Sequence, residues 1–165
     1  MVSLRVSVCL ILTLVPAVGF VTSAEAKPRV HRGKVISGSA YALDGDTIVI
    51  GEVHVRLFGA DAFESDQSCG QMACGPRATA AMEGLIAKQV ISCEKQDTDR
   101  YGRTVAICKT SGGIDLGREM VRRGLAVAYR RYSVRYLADE QWAKDHREGA
   151  WAHGFDSPVT WRQKH

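Results

Sequence analysis

Four charged residues in the first half of the sequence have types and spacing that suit metal-assisted chemistry on an anion. Asp46 precedes a short apolar run, and Arg56, Asp61 and Glu64 follow it in the pattern R-x₄-D-x₂-E. Clustered carboxylates need a compensating cation, and an all-oxygen set of ligands suits Ca²⁺ or Mg²⁺. The arginine favours an anionic ligand, because a guanidinium group forms paired hydrogen bonds with carboxylate or phosphate.

Two predicted strands position these charged residues. Residues 48–50 are apolar, residues 53–57 alternate between apolar and polar, and a glycine-containing break lies between them. Two such runs predict a β-hairpin. Because successive side chains of a strand point to opposite faces, Arg56 projects away from the apolar face that bears Val55.

The chain is long enough for one domain, and its net charge is mildly positive. The chain has 165 residues and a formal net charge of +4. This length is sufficient for one domain with its own core. A mildly basic balance fits an anionic partner, but many proteins without such a partner are equally basic.

Residues 1–26 have the pattern of a secretory signal peptide. Arg5 lies near the start, an apolar stretch follows, and Ala24 and Ala26 form a small-x-small cleavage pattern. A transmembrane anchor is the alternative, but the polar residues within the stretch and the cleavage pattern favour removal. We therefore predict an exported protein, periplasmic or extracellular, with no membrane attachment after cleavage.

The exported part of the chain contains four cysteines, and an even number in an exported chain suggests disulfides. Cys93 and Cys108 are equidistant from the centre of a predicted hairpin turn, so they face each other across the two strands. This pairing leaves Cys69 to pair with Cys74. A zinc site is the competing interpretation, but the sequence has no C-x₂-C pair.

The order of predicted elements indicates the α+β class, with helices packed on a small closed antiparallel sheet. Residues 27–34 are predicted to be a flexible basic segment, and residues 155–165 form a tail to which the sequence assigns no role. The other elements are a strand at 35–42, the hairpin, a loop at 63–75, a helix from Gly75, strands at 90–95 and 103–109, a helix at 116–124, a short extended stretch at 126–132 and a helix at 136–150.

These motifs together resemble the staphylococcal nuclease (thermonuclease-like) family in its exported bacterial form. The resemblance covers roughly residues 35–151 and is carried by DGDT at 44–47, the R-x₄-D-x₂-E pattern, DRYGR at 99–103, LGREMVRRGLAVAY at 116–129 and EGAW at 148–151. It implies an OB-type five-stranded Greek-key β-barrel with three packed helices, which would occupy residues 35–154.

The resemblance also implies a function: a monomeric Ca²⁺-dependent phosphodiesterase that cuts DNA and RNA, preferably single-stranded, with little sequence specificity. The implied roles are Ca²⁺ ligation by Asp46, Asp61 and the carbonyl of Ala62, general-base catalysis by Glu64, phosphate binding by Arg56 and Arg103, and nucleotide binding by Tyr101 and Tyr129. The chemistry is consistent, because attack on a phosphodiester adds negative charge that guanidinium groups and a divalent ion stabilise.

Simpler interpretations compete with these roles. The alternative role for Arg56 and Arg103 is that of ordinary surface charges. The alternative role for Tyr101 and Tyr129 is packing. The alternative for the whole domain is a non-catalytic OB-type module that binds nucleic acid or acidic polysaccharide. The carboxylates favour the enzyme, since a polyanion-binding module gains nothing from clustered acids unless they hold a metal. We expect alanine at either arginine to lower turnover and leave the fold intact.

One position departs from the family pattern. Family members commonly have proline directly before the glutamate, whereas this chain has Phe63 before Glu64. Phenylalanine does not restrain φ as proline does. Either Phe63 packs and holds the loop, or Glu64 is mobile. The sequence favours mobility, because a large apolar residue in a polar loop has no evident local partner.

Overall fold

The computed structural model describes residues 33–165. The predicted signal peptide at 1–26 and residues 27–32 of the predicted basic segment lie outside this range. The described strands are β1 (Val35–Gly38), β2 (Ala40–Ala42), β3 (Thr47–Ile50), β4 (Val53–Leu57), β5 (Ala60–Ala62), β6 (Ile91–Thr98), β7 (Thr104–Thr110) and β8 (Ala126–Ala128). The described helices are α1 (Cys74–Ile86), α2 (Leu116–Arg122), α3 (Leu137–Asp145) and α4 (Pro158–Lys164), with a 3₁₀-helix at Gly149–Ala152.

Six of the strands form one mixed sheet in the order β1-β6-β7-β4-β3-β2, and β5 pairs with β8 in a separate antiparallel ladder. Neighbours in the six-stranded sheet are antiparallel, except that β4 and β7 run parallel. The order places β4, which carries Arg56, in the interior of the sheet.

The sheet must curl until its two edges meet, because β1 and β2 lie at opposite edges but only Ser39 separates them in the chain. In a flat sheet these edges would be about 24 Å apart, at about 4.8 Å per strand. The chain from residue 38 to residue 40 spans at most about 7 Å. Strands β1 and β2 are therefore one strand bent at Ser39, as predicted for residues 35–42. Counted in this way the sheet has five strands, and the predicted α+β class and OB-type barrel are confirmed.

The hairpin of β3 and β4 has the predicted alternation. Thr47 lies opposite Arg56, and Ile48 lies opposite Val55. Val55 and Leu57 are buried, whereas Arg56 lies on the other face of the strand. Residues 51–52 form the tight turn that joins the two strands.

The helices cover the barrel through apolar stripes. Helix α1 buries Ala78, Met82 and Ile86, which are spaced about one helical turn apart, and α2 buries Met120 and Val121. These residues form one core cluster with the inward side chains of the six-stranded sheet. The small ladder of β5 and β8 contributes to the same cluster. Among residues 33–165, no helix combines the length and apolar character needed to cross a membrane.

Two helical features differ from the sequence prediction. The helix predicted at 136–150 is interrupted: α3 ends at Asp145, and Arg147 has a φ of 55°, which a right-handed helix does not accommodate. The tail contains the additional helix α4. It begins at a Ser-Pro pair, where Ser157 accepts a hydrogen bond at its Oγ from the backbone N–H of Thr160 (3.2 Å).

Both predicted disulfides are present. Cys93 lies directly opposite Cys108 in the β6–β7 pair and is bonded to it. The second bond joins Cys69 to Cys74 and closes the loop that precedes α1. All four residues are buried.

We predict that the two disulfides differ in their contribution to stability. The closed loop of Cys93–Cys108 is longer, with a sequence separation of 15 against 5. Chain entropy assigns about 3 kcal/mol to the longer loop and about 2 kcal/mol to the shorter one. Urea unfolding of the two double Cys→Ala variants measures the difference, and the similar burial of the four side chains makes the variants a matched pair. A larger loss from the Cys69/Cys74 variant would contradict the prediction.

Candidate active site

The turn before β3 fixes the first carboxylate of the site. Asp44 accepts hydrogen bonds at Oδ1 from the backbone N–H groups of Asp46 (2.9 Å) and Thr47 (2.6 Å), which closes the turn. Gly45 is required at its position, because a Cβ atom there would lie 2.7 Å from the Cβ atom of Ala62. The turn therefore packs closely against β5 and holds Asp46 in one orientation.

Asp46 is buried, and both oxygen atoms of its carboxylate accept hydrogen bonds. Its Oδ2 accepts from the backbone N–H of Ala62 (2.7 Å). Its Oδ1 accepts from the hydroxyl of Thr47 (3.1 Å) and from Nη1 of Arg56 (2.7 Å). These bonds join the turn, β4 and β5 at one point.

Arg56 connects the two buried carboxylates of the site. While Nη1 contacts Asp46, Nη2 donates to Oδ1 of Asp61 (2.5 Å), which is fully buried in β5. Removing the arginine would leave both carboxylates without this cation, and such losses cost about 3–5 kcal/mol. The structure therefore revises the expectation for Arg56: alanine at this position threatens the fold as well as the chemistry.

The charge balance of this group suits an added cation. Burial raises the pKa of the Asp46 carboxyl to about 7, and the nearby Arg56 opposes this shift without cancelling it. Among residues 33–165, no three His, Cys, Asp or Glu side chains form a metal site by themselves. The two carboxylates and a backbone oxygen such as that of Ala62 are hard ligands, so the residues fit Ca²⁺ or Mg²⁺ completed by other oxygen donors.

A small cleft brings several predicted site residues together. It has a volume of about 140 Å³ and is lined by Leu43, Asp44, Asp46, Arg56, Ala62, Phe63, Glu64 and Ser65. A larger groove of about 390 Å³ is lined by Met72, Arg77, Ala80, Ala81, Arg123, Leu125 and Gly149. The larger groove has no carboxylate in its lining, so the candidate chemistry belongs to the smaller cleft.

A buried glutamine holds the backbone of Glu64. The side chain of Gln67 is fully buried and accepts a hydrogen bond at Oε1 from the N–H of Glu64 (3.1 Å). Its Nε2 donates to the carbonyl of Asp156 in the tail (2.7 Å), and its own carbonyl accepts from the N–H of Gly75 (3.0 Å). The sequence does not mark Gln67, because one side-chain contact lies within an irregular loop and the other joins that loop to the distant tail.

Phe63 is an anchor, and the expectation of a mobile Glu64 backbone was wrong. Phe63 is 2% exposed. Its ring packs edge-on against Phe155, with centroids 5.1 Å apart, and Phe155 packs in turn against Trp151 at 4.7 Å. The partner lies in the C-terminal tail, so a search for local partners could not find it.

Arg162 of α4 is a further charged residue at the site, and the sequence did not indicate it. Its Nη1 lies 3.2 Å from Oδ1 of Asp61, and its Nη2 lies 2.9 Å from Oδ2. The same Nη1 also donates to Oε1 of Glu64. The tail therefore contacts two of the three predicted acidic residues.

Arg103 and Tyr101 lie on the turn between β6 and β7, outside the lining of the cleft. Arg103 donates through Nε to Asp99 (2.7 Å), and its guanidinium lies 5.5 Å from the centre of the Tyr101 ring, which is 69% exposed. Val105 of β7 pairs in parallel with Arg56 of β4. Arg103 therefore lies just before the strand that neighbours Arg56, although its side chain contacts Asp99.

Tyr129 follows β8 and is half-buried. Its backbone N–H donates to the carbonyl of Gly59 (2.9 Å), and its ring packs edge-on against Tyr132 with centroids 4.8 Å apart. These contacts place Tyr129 beside β5, but its side chain does not line the cleft.

Comparison with known proteins identifies the class to which this fold and site belong. Residues 54–153 match the family described as staphylococcal nuclease homologue. The chain therefore belongs to the family of staphylococcal nuclease homologues. The match includes Arg56, Asp61 and Glu64 and begins after Asp46.

Individual relatives are similar over most of the chain. Protein ParB of Escherichia coli is 31% identical over 151 residues, covering 81% of this chain and 80% of the relative. Micrococcal nuclease of Shigella flexneri is 32% identical over 149 residues, covering 80% of each chain. An uncharacterized endonuclease of Haemophilus influenzae is 30% identical over 129 residues, covering 73% of this chain and 69% of the relative.

We predict that Phe63→Ala lowers the free energy of unfolding by about 3 kcal/mol, because it removes a buried ring and leaves a cavity beside Phe155. Phe63→Leu is the matched control: it keeps most of the apolar volume and should cost about 1 kcal/mol. Urea unfolding followed by circular dichroism measures both. An Ala variant as stable as the parent would show that Phe63 does not anchor the tail.

Proposed function

We propose that this protein is an exported, metal-dependent endonuclease that hydrolyses phosphodiester bonds of DNA and RNA with little sequence specificity. The supporting observation is the pair of buried carboxylates, Asp46 and Asp61, held by Arg56 next to Glu64 in a chain of the nuclease-homologue family. Neighbouring acids and an arginine in one cleft suit a divalent cation and an anionic substrate together.

The metal in this proposal is Ca²⁺, with Asp46, Asp61 and the carbonyl of Ala62 as the protein ligands. A bound divalent cation would neutralise charge on the phosphodiester and polarise a phosphoryl oxygen. The set contains only oxygen atoms, which suits a hard cation better than zinc or copper.

The arginines would bind and stabilise the phosphate. Arg56 uses one N–H group on each of two carboxylates, and it lines the cleft with further N–H groups available for phosphate oxygens. Arg103 would leave Asp99 to contact the substrate. A surface ion pair of this type is worth at most about 1 kcal/mol, so the exchange costs little. Both guanidinium groups would act on the negative charge that develops at phosphorus.

Glu64 would act as general base. Its side chain is 36% exposed and lines the cleft, so water has access to its carboxylate. In the proposed step, a water oxygen attacks phosphorus while its proton passes to Glu64, and the bond from phosphorus to the leaving oxygen breaks as that oxygen takes a proton from solvent water. The hydrogen bond from its backbone to buried Gln67 limits the positions from which the carboxylate acts.

Tyr101 would stack on bases of a single-stranded substrate. It is largely exposed, and the guanidinium groups of Arg100 and Arg103 lie 4.7 Å and 5.5 Å from its ring centre. Stacking next to positive charge gives affinity without sequence readout. Tyr129 would line the same nucleotide site from the side of β8. The same features of Tyr101 also suit a non-catalytic nucleic-acid-binding module, which is the second candidate function.

Export to the periplasm or the extracellular space is supported by the two disulfides, since structural disulfides persist in oxidising compartments. In the proposal the protein acts there as a monomer, after removal of the signal peptide.

We predict that cleavage of single-stranded DNA and RNA requires a divalent ion and is fastest with Ca²⁺, because the proposed site needs the ion to polarise a phosphoryl oxygen and its ligands are all oxygen atoms. The assay compares the purified exported protein in Ca²⁺, in Mg²⁺ and in excess chelator, on labelled oligonucleotides of each type. Undiminished cleavage in chelator would contradict the metal requirement. Oligonucleotide binding without cleavage in Ca²⁺ would favour the binding module instead.

We predict that Arg103→Ala lowers kcat by about 10²-fold or more, the scale of losing one charged contact to the transition state. The free energy of unfolding should change by only about 1 kcal/mol, because a partly exposed ion pair and a contact with an exposed ring are lost. Arg100→Ala is the comparison variant: it removes an exposed arginine beside the Tyr101 ring that has no proposed contact with the transition state, so its kcat should stay near that of the parent. A kcat of Arg103→Ala as high as that of the parent would show that Arg103 is an ordinary surface charge.

A further inference from the structure

The C-terminal segment, residues 155–165, is attached to the active-site loop at two independent points. Phe155 packs between Phe63 and Trp151, and the carbonyl of Asp156 accepts a hydrogen bond from Gln67. These anchors precede α4 directly. They therefore fix where α4 starts, and the hydrogen bond of Ser157 to the first turn fixes its direction.

The guanidinium of Arg162, on α4, contacts Asp61 and Glu64, which are proposed to act in metal binding and catalysis. It contacts both oxygens of Asp61, at 3.2 Å and 2.9 Å, and donates to Glu64. Paired contacts of this kind are the strong form of the arginine–carboxylate interaction. Arg162 is 38% exposed and Asp61 is fully buried, so the arginine covers the carboxylate from the solvent side.

Arg162 and a divalent ion would need the same oxygen atoms. Oδ1 of Asp61 already accepts from Arg56 and Arg162, and Oδ2 accepts from Arg162. A Ca²⁺ ion binds carboxylate oxygens at about 2.3–2.6 Å. Arg56 contacts only Oδ1, so an ion on Oδ2 would take the place of Nη2 of Arg162 and leave the bond to Arg56 intact. The ion and Arg162 therefore exclude each other at this oxygen.

We propose that Arg162 is an internal cation that competes with the divalent metal for Asp61, so that the C-terminal segment sets the metal affinity of the site. With Arg162 in place, the segment stabilises the metal-free protein and also engages Glu64. Metal binding requires α4 to withdraw Arg162, which frees Glu64 at the same time. This inference rests on the proposed function, because it takes Asp61 as a metal ligand. Arg162 lies beyond residues 54–153, which match the family.

The test compares Ca²⁺ binding to the purified exported protein and to its Arg162→Gln variant by isothermal titration calorimetry. The apparent affinity equals the intrinsic affinity multiplied by the fraction of molecules in which Arg162 is away from Asp61. The variant lacks the competing guanidinium, so it should bind Ca²⁺ about tenfold more tightly or better. Lys164→Gln is the matched control: it removes the same charge from the same helix, but its partner is Asp156. This control should keep the affinity of the parent.

Two further readouts separate competition from a general effect on the fold. In chelator, Arg162→Gln should unfold at a lower temperature than the parent, because buried Asp61 loses a partner. In the parent, Ca²⁺ should speed hydrogen exchange in peptides that cover residues 158–165. An unchanged exchange rate would overturn the inference, since Arg162 would then stay in place with the metal bound.

The outcomes also distinguish this inference from the proposed function. Equal Ca²⁺ affinity in the parent and Arg162→Gln would overturn the inference and leave the metal-dependent function standing. Tighter Ca²⁺ binding by the variant than by the parent, with no cleavage of nucleic acid by either protein, would support the inference and contradict the function. No Ca²⁺ binding to either protein would overturn both.

Discussion

The bridge from Arg56 to two buried carboxylates is the interaction on which the rest of the site depends. Asp46 comes from a turn and Asp61 from β5, and one guanidinium on β4 holds both at hydrogen-bonding distance. Two carboxylates do not share a buried position without a cation, because their desolvation and mutual repulsion are both unfavourable. The turn, the central strand and the small ladder are therefore held together electrostatically at the point where the cleft opens.

A second set of contacts positions Glu64 relative to this bridge. Aromatic packing of Phe63 on Phe155 and the hydrogen bonds of Gln67 tie the loop after β5 to the C-terminal segment. The family's usual proline would restrain this backbone through φ. Here the restraint comes from burial of a ring against the tail, so the geometry of this loop depends on tertiary contacts. The tail thereby becomes part of the site that it covers.

The parts of the fold that the sequence predicts are those that local patterns determine. Alternation in β4 gives the side of the sheet on which Arg56 lies, and symmetry about a turn pairs Cys93 with Cys108. The contacts that the sequence did not predict join distant segments without a periodic pattern. Arg162 meets Asp61 only because α4 folds back over the loop, and a basic residue in an unassigned tail does not reveal its partner.

The most direct test of this account is the position of Ca²⁺ in a crystal of the metal-loaded protein, located by its anomalous scattering. The account predicts one ion bound to carboxylate oxygens of both Asp46 and Asp61, at about 2.3–2.6 Å. It also predicts that Arg56 remains beside the site in the loaded protein. Calcium bound elsewhere, with Asp46 and Asp61 still joined only through Arg56, would contradict the claim that these buried acids form a metal site.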